Sequence, residues 1–155
     1  MRLTGGCQCG AIRYHITEPP KRATLCHCRM CQKAMGGAYL ASATVWPASF
    51  SWTRGQPASF ASSSMAFREF CGQCGTPLAY RDLEGGRAVT LGSLDQPDAV
   101  APGRQIGIES RLSWWRGDGL ADGATTEEDA PDLALGLQNF QHPDHDTDDW
   151  VPHRG

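Results

Sequence analysis

The sequence predicts a mainly β domain with one short helix, and three observations carry that expectation. The 155-residue chain holds 18 glycines and 10 prolines, a content that favours turns and short strands over long helices. Several stretches alternate apolar and polar residues with the period of two expected of a half-buried strand. Seven cysteines fall into three tight groups: Cys7 with Cys9, Cys26 with Cys28 and Cys31, and Cys71 with Cys74. An odd number of thiols cannot pair fully as disulfides, whereas groups this close suit tetrahedral coordination of a soft metal.

Length and charge narrow the function classes. One core is expected, in a metal-binding domain over residues 1–117, followed by an extension over 118–155. The formal charge is −3, falling to about −6 with seven thiolates around two Zn²⁺, and no Lys/Arg run is present, so nucleic acid is not an expected partner. Neither a leader-like apolar region at Met1–Cys7 nor an 18-residue apolar run occurs, so no membrane partner is expected and a reducing, cytoplasmic setting is.

The elements follow in chain order. Thr4 to Gly10 is a glycine-flanked Cys-x-Cys whose backbone freedom lets both thiolates face one ion. Ala11 to Thr17 reads as a strand with Ile12, Tyr14 and Ile16 on the inner face, ended by Pro19-Pro20. A short helix is expected from Cys28 to Met35, stopped by Gly36-Gly37. One helical turn would put Cys28 and Cys31 on the same side, with Cys26 reaching in from an extended segment. Further strands are expected over Ala38–Val45, Phe50–Thr53 and Ala58–Phe60, with a loop at Ser62–Ser64. Phe67 to Leu78 carries a Cys-x-x-Cys knuckle with glycine after each cysteine. Strands over Ala88–Leu94 and Gln105–Arg111 come next, and Trp114-Trp115 are expected to close the core. A helix within Thr125–Phe140, with Thr126 as N-cap and Leu133, Leu137 and Phe140 along one face, completes the reading. The last fifteen residues look like a poorly ordered acidic tail, whose His142, His145, His153 and aspartates read as solvated rather than metal-binding.

Seven thiols divide naturally as four plus three. Cys7, Cys9, Cys71 and Cys74 would form a closed, structural Cys₄ zinc site worth on the order of 10 kcal/mol of folding. Cys26, Cys28 and Cys31 would form a three-ligand site whose fourth position is open to water or substrate, and hence to chemistry. A rival pairing joins Cys71 and Cys74 to the central group and leaves Cys7 and Cys9 as a redox pair. The trio also admits a purely structural reading with His27 or His15 as a fourth ligand, although His27, lying between two cysteines, fits packing better.

Three ordered motifs, Gly6-Cys7-Gln8-Cys9-Gly10, Cys26-His27-Cys28-Arg29-Met30-Cys31-Gln32-Lys33 and Phe70-Cys71-Gly72-Gln73-Cys74-Gly75-Thr76-Pro77-Leu78, resemble the glutathione-dependent formaldehyde-activating enzyme family, which also includes centromere protein V. The resemblance covers roughly residues 3–115 and does not extend beyond Gly117. It implies a β-tent fold, a structural zinc on Cys7, Cys9, Cys71 and Cys74, and a catalytic zinc on Cys26, Cys28 and Cys31. It further implies a carbon–sulfur lyase or synthase acting on the S-hydroxymethyl adduct of glutathione or a similar small thiol. A metal-coordinated thiol has a lowered pKa and presents a thiolate to an aldehyde carbon. Arg29 and Lys33, four apart on the expected helix, are the candidates for the thiol's carboxylates, with Arg68 a third. The competing class is a non-catalytic zinc module that docks a protein or senses thiols or aldehydes, with Trp114-Trp115 as its candidate surface.

Overall fold

The computed structural model describes residues 2–115 and 138–152, together with Ala124, Thr125, Glu128 and Leu135. The first strands are β1 (Leu3–Gly6), β2 (Arg13–Ile16) and β3 (Arg22–Cys26), followed by helix α1 (Arg29–Met35). Then come β4 (Leu40–Thr44), β5 (Phe50–Arg54), β6 (Ala58–Ser63), β7 (Ala66–Phe70), β8 (Pro77–Asp82), β9 (Arg87–Thr90) and β10 (Arg104–Ile106). They form a three-stranded sheet, β1-β2-β5, and a seven-stranded sheet, β10-β3-β4-β9-β8-β7-β6. Neighbours run antiparallel except β10, which lies parallel to β3. This is the mainly β architecture with one short helix that the sequence predicts, and it agrees with a β-tent. Among the described residues no helix is long and apolar enough to cross a membrane.

The period-two pattern of the second strand translates directly into burial. Ile12, Tyr14 and Ile16 are all buried, and they pack with Leu3, Val45, Leu78, Val89 and Leu94 in a core that also takes in Cys7 and Cys71. The Tyr14 ring stands edge-on to Trp52, and its hydroxyl meets Ser93 Oγ at 2.7 Å, so the phenol's polar end is satisfied inside the core. Arg13 alternates with these residues, yet its side chain is only 4% exposed, because Asp95, itself 5% exposed, holds the guanidinium with bonds of 2.8 and 2.5 Å. A buried charge is tolerated where it is paired in this bidentate way.

Several expected boundaries shift. β9 ends at Thr90 and continues as a 3₁₀ turn, Leu91–Ser93; β10 likewise gives way to a 3₁₀ turn, Ile108–Ser110. β6 extends through the expected loop to Ser63. Strands β1, β3, β7 and β8 were not expected as strands: all adjoin cysteine motifs, whose glycines and cysteines break the alternation that marks a strand. Trp115 does pack, at 4.7 Å from the His27 ring and 5.3 Å from Tyr39, but Trp114 is 65% exposed and closes nothing.

The expected helix over Thr125–Phe140 falls mostly outside the described residues, as do Thr126, Leu133 and Leu137. Among the described residues, Thr125 exchanges hydrogen bonds with Glu128, at 2.9 Å from its amide and 3.3 Å back from the Glu128 amide, the reciprocal pattern of a capping box. Within residues 138–152 the chain is anchored to the first cysteine loop and β2 rather than loose. His142 is buried and its amide donates to the Gln8 carbonyl at 2.7 Å, Trp150 Nε1 donates to the Cys9 carbonyl at 2.7 Å, and Asp146 meets Arg13 at 2.9 Å. The segment therefore lies over the first cysteine loop.

Candidate metal centres and the adjoining cleft

The first centre forms where the loop after β1 meets the knuckle after β7. The sulfurs of Cys7, Cys9, Cys71 and Cys74 lie within 4.8 Å of one another. Adjacent ones stand 3.5 Å (Cys7 to Cys9) and 3.7 Å (Cys9 to Cys71) apart. A tetrahedron with metal–sulfur bonds of about 2.3 Å has edges of roughly 3.8 Å, so the group fits a single ion of zinc's size. The knuckle is closed by the Cys71 amide to the Thr76 carbonyl and by the Gly75 amide back to the Cys71 carbonyl, both 2.9 Å. Gly75, at φ 78°, makes that turn. Donors point at the sulfurs, with the Ile12 amide 3.2 Å from Cys7 Sγ and the Thr76 hydroxyl 3.2 Å from Cys74 Sγ. Burial works to raise the Cys74 thiol, but its hydrogen bonds with Thr76 and Cys9 outweigh that and bring it down to about 6. Cys9 is driven the other way, first by burial and then by the neighbouring sulfurs. Thiolates crowded in this way call for a cation.

The second centre gathers Cys26 at the end of β3, Cys28 as the N-cap of α1, and Cys31 in its first turn, again within 4.8 Å of one another. Cys26 and Cys28 sulfurs are 3.5 Å apart. Burial, reinforced by Cys31 and Cys28, pushes the Cys26 thiol up to about 12. The backing comes from β10: the His27 amide donates to Ile106 at 2.9 Å, and Gly107, at φ 64°, passes so close that a side chain there would stand 2.7 Å from the Cys28 nitrogen. Gln32 fixes α1 from below, donating to the carbonyls of His27 at 2.8 Å and Ser110 at 2.9 Å.

The two groups of cysteines are thus brought together as four and three, and all seven are free thiols. Cys71 and Cys74 stand with Cys7 and Cys9 rather than with the trio, against the rival pairing. His27 is buried between Tyr39 and Trp115 with Nε2 3.0 Å from Gln105, a packing role, and His15 lies by Arg2 and Asp146 instead of at the trio.

Beside the trio opens a cleft of about 710 Å³ between α1 and the face of β6, β7 and β8. Met30, Met35, Phe60, Phe70, Pro77 and Tyr80 make most of its wall apolar. Arg29 and Lys33 both line it from the exposed side of α1, and Arg29 Nη1 donates to Gln32 Oε1 at 2.7 Å. Arg68 joins the cleft to the trio, its Nη2 3.4 Å from Cys31 Sγ. Glu69, also on the wall, is neutralised by Arg81 at 3.0 Å and Arg87 at 2.9 Å. Phe60 and Tyr80 sit directly opposite Arg68 in the strand register, and no feature of the linear sequence marks that row.

Fold and site together define a mainly β protein with two cysteine clusters able to hold metal and a cleft against the smaller one. The chain belongs to the glutathione-dependent formaldehyde-activating enzyme family, whose model matches residues 2–110. Over 38 residues it is 42% identical to a Halomonas elongata protein whose provisional name is glutathione-dependent formaldehyde-activating enzyme, a match spanning 24% of each chain. The crystal structure of a Rhodobacter sphaeroides protein shares the fold, with a TM-score of 0.53 and 19% identity over 66% of this chain and 99% of that one.

Proposed function

We propose that the chain is a zinc-dependent carbon–sulfur lyase or synthase that makes or breaks the S-hydroxymethyl adduct of glutathione or a similar small thiol. The observation that carries this reading is the three-cysteine group set against a cleft lined by cations, in a chain of this family. Residues 1–117 are read as the metal-binding domain and 118–155 as its extension. Free thiols throughout suit a reducing compartment such as the cytoplasm.

Cys7, Cys9, Cys71 and Cys74 would hold one zinc as a closed structural site, and Cys26, Cys28 and Cys31 would hold a second with a position left for an exchangeable ligand. Zinc in the second site supplies a positive charge that lowers the pKa of a coordinated thiol. The remaining work belongs to the chain. Arg29 and Lys33, one turn apart at the cleft, bind and orient the carboxylates of the thiol, and the apolar wall excludes water from the far side of the reacting carbon.

Native mass spectrometry on protein purified without chelator tests the reading. Two zinc ions per chain, with one lost or carrying a glutathione adduct after equilibration with millimolar glutathione, are expected. Acceleration of thiol–formaldehyde exchange, abolished in Cys28→Ser, should accompany them. Two inert ions with neither adduct nor acceleration would transfer the reading to a non-catalytic zinc module.

A further inference from the structure

We propose that Arg68 receives the oxygen of the reacting adduct, binding the anion that develops one carbon away from the substrate sulfur. The assignment rests on the thiol-adduct reading above and deepens it, since Arg29 and Lys33 account for the remote carboxylates but not for the charge created at the reacting carbon.

The chemistry sets the requirement. When a thiolate adds to an aldehyde, the S–C bond forms from a sulfur lone pair and the C=O π pair moves onto oxygen, which then takes a proton from water. In reverse, the hydroxyl loses its proton to water, the C=O bond re-forms and the C–S pair returns to sulfur. One negative charge therefore shifts between sulfur and an oxygen two bonds away, and a fixed cation able to face both positions stabilises the transition state.

Arg68 meets that requirement by position. It projects from β7 between the cleft and the trio, with Nη2 donating to Cys31 Sγ at 3.4 Å. Its Nε and Nη1 are buried and have no hydrogen-bond partner among the described residues. Buried guanidinium donors are ordinarily paired, so two unpaired ones on the same planar group, beside the trio's sulfurs, point to an oxygen supplied by a ligand. The Tyr80 ring, 5.1 Å away, braces the guanidinium plane. The other charged groups on this wall serve elsewhere: Glu69 is held by Arg81 and Arg87, and Arg29 and Lys33 are exposed on α1, at the end of the cleft read above as taking the carboxylates.

Calorimetric titration of the zinc-loaded protein with mercaptoacetate and with 2-mercaptoethanol tests the assignment. Mercaptoacetate places an anionic oxygen close to the adduct's, whereas 2-mercaptoethanol offers only a neutral hydroxyl. The wild type is expected to prefer mercaptoacetate by about tenfold, the worth of one charge-assisted contact. Arg68→Met should lose that preference, the ratio of its two affinities falling toward one whatever change is common to both thiols, with metal content followed by mass. An undiminished preference in Arg68→Met, or none in the wild type, overturns the assignment and leaves the thiol reading standing. Should Arg68→Met not fold, Arg68→Lys carries the test, because it keeps the charge without the planar fork. A preference in it equal to the wild type's overturns the assignment. Failure of the wild type to bind either thiol overturns the thiol-adduct reading, and the role of Arg68 with it.

Discussion

Gly107 shows how closely the backbone must approach the trio. Its left-handed conformation, at φ 64°, and the 2.7 Å gap between a would-be Cβ and the Cys28 nitrogen leave room for hydrogen alone. Gly107→Ala is expected to destabilise the fold by about 1–3 kcal/mol and, on the two-zinc reading proposed above, to lower metal content toward one ion per chain, checked by thermal unfolding and elemental analysis. The Arg13–Asp95 pair is a second point of sensitivity. Asp95→Ala would leave a guanidinium that is 4% exposed with Asp146 as its remaining anionic partner, and a loss of about 3–5 kcal/mol in denaturant unfolding is expected. Residue by residue, the sequence revealed what repeats or clusters: the buried face of Ile12, Tyr14 and Ile16, and the cysteine groups. It hid what depends on pairing, such as the burial of Arg13 against Asp95, 82 positions away, and the row of Phe60, Arg68 and Tyr80.

At the level of elements, the informative one is the C-terminal segment laid across the first cysteine loop. His142 and Trp150 fill the space over Gly10, which at φ 74° has no room for a side chain: a Cβ would lie 2.3 Å from the His142 ring and 2.5 Å from that of Trp150. Docking should depend on pH through two groups. Burial holds His142 below the usual histidine value, and hydrogen bonds from Arg13 and His15 hold Asp146 below the usual carboxylate value despite the opposing effect of its burial. Both folded pKa values are depressed, so each contribution is complete above the unfolded pKa and fades as pH falls through the folded one. The protection of the His142 amide, taken relative to the intrinsic exchange rate at each pH, should therefore be greatest above about pH 6.5, fall below it as His142 gains a proton, and fall again below about pH 4 as Asp146 does. Beyond its aspartates and histidines this segment carries no signal in the sequence, because its anchors, the carbonyls of Gln8 and Cys9, belong to the other end of the chain. β3, β7 and β8 are hidden for a different reason: they adjoin the cysteine turns, where local composition serves the cysteines rather than the strand.

For the whole molecule, the two-zinc reading implies that the two clusters contribute unequally to stability. The four-cysteine centre joins the loop after β1 to the knuckle after β7 and adjoins the core through Cys7 and Cys71, so a chelator is expected to remove the ion of the trio first, with little loss of structure. Removal of the second ion, or Cys7→Ser, should abolish cooperative unfolding, as followed by far-ultraviolet circular dichroism against metal content. The two clusters also close at different points along the chain. The first has all four sulfurs once Cys74 is in place, and the strand lying against it, β7, precedes that cysteine. The trio lies entirely within the first 31 residues, but the strand that backs it, β10, begins only at Arg104 and pairs parallel to β3. During synthesis the early thiols would therefore wait, exposed, while some seventy further residues were added. On the two-zinc reading proposed above, metallation would run against the order in which the two clusters gather their sulfurs, the four-cysteine centre taking its ion before the trio does.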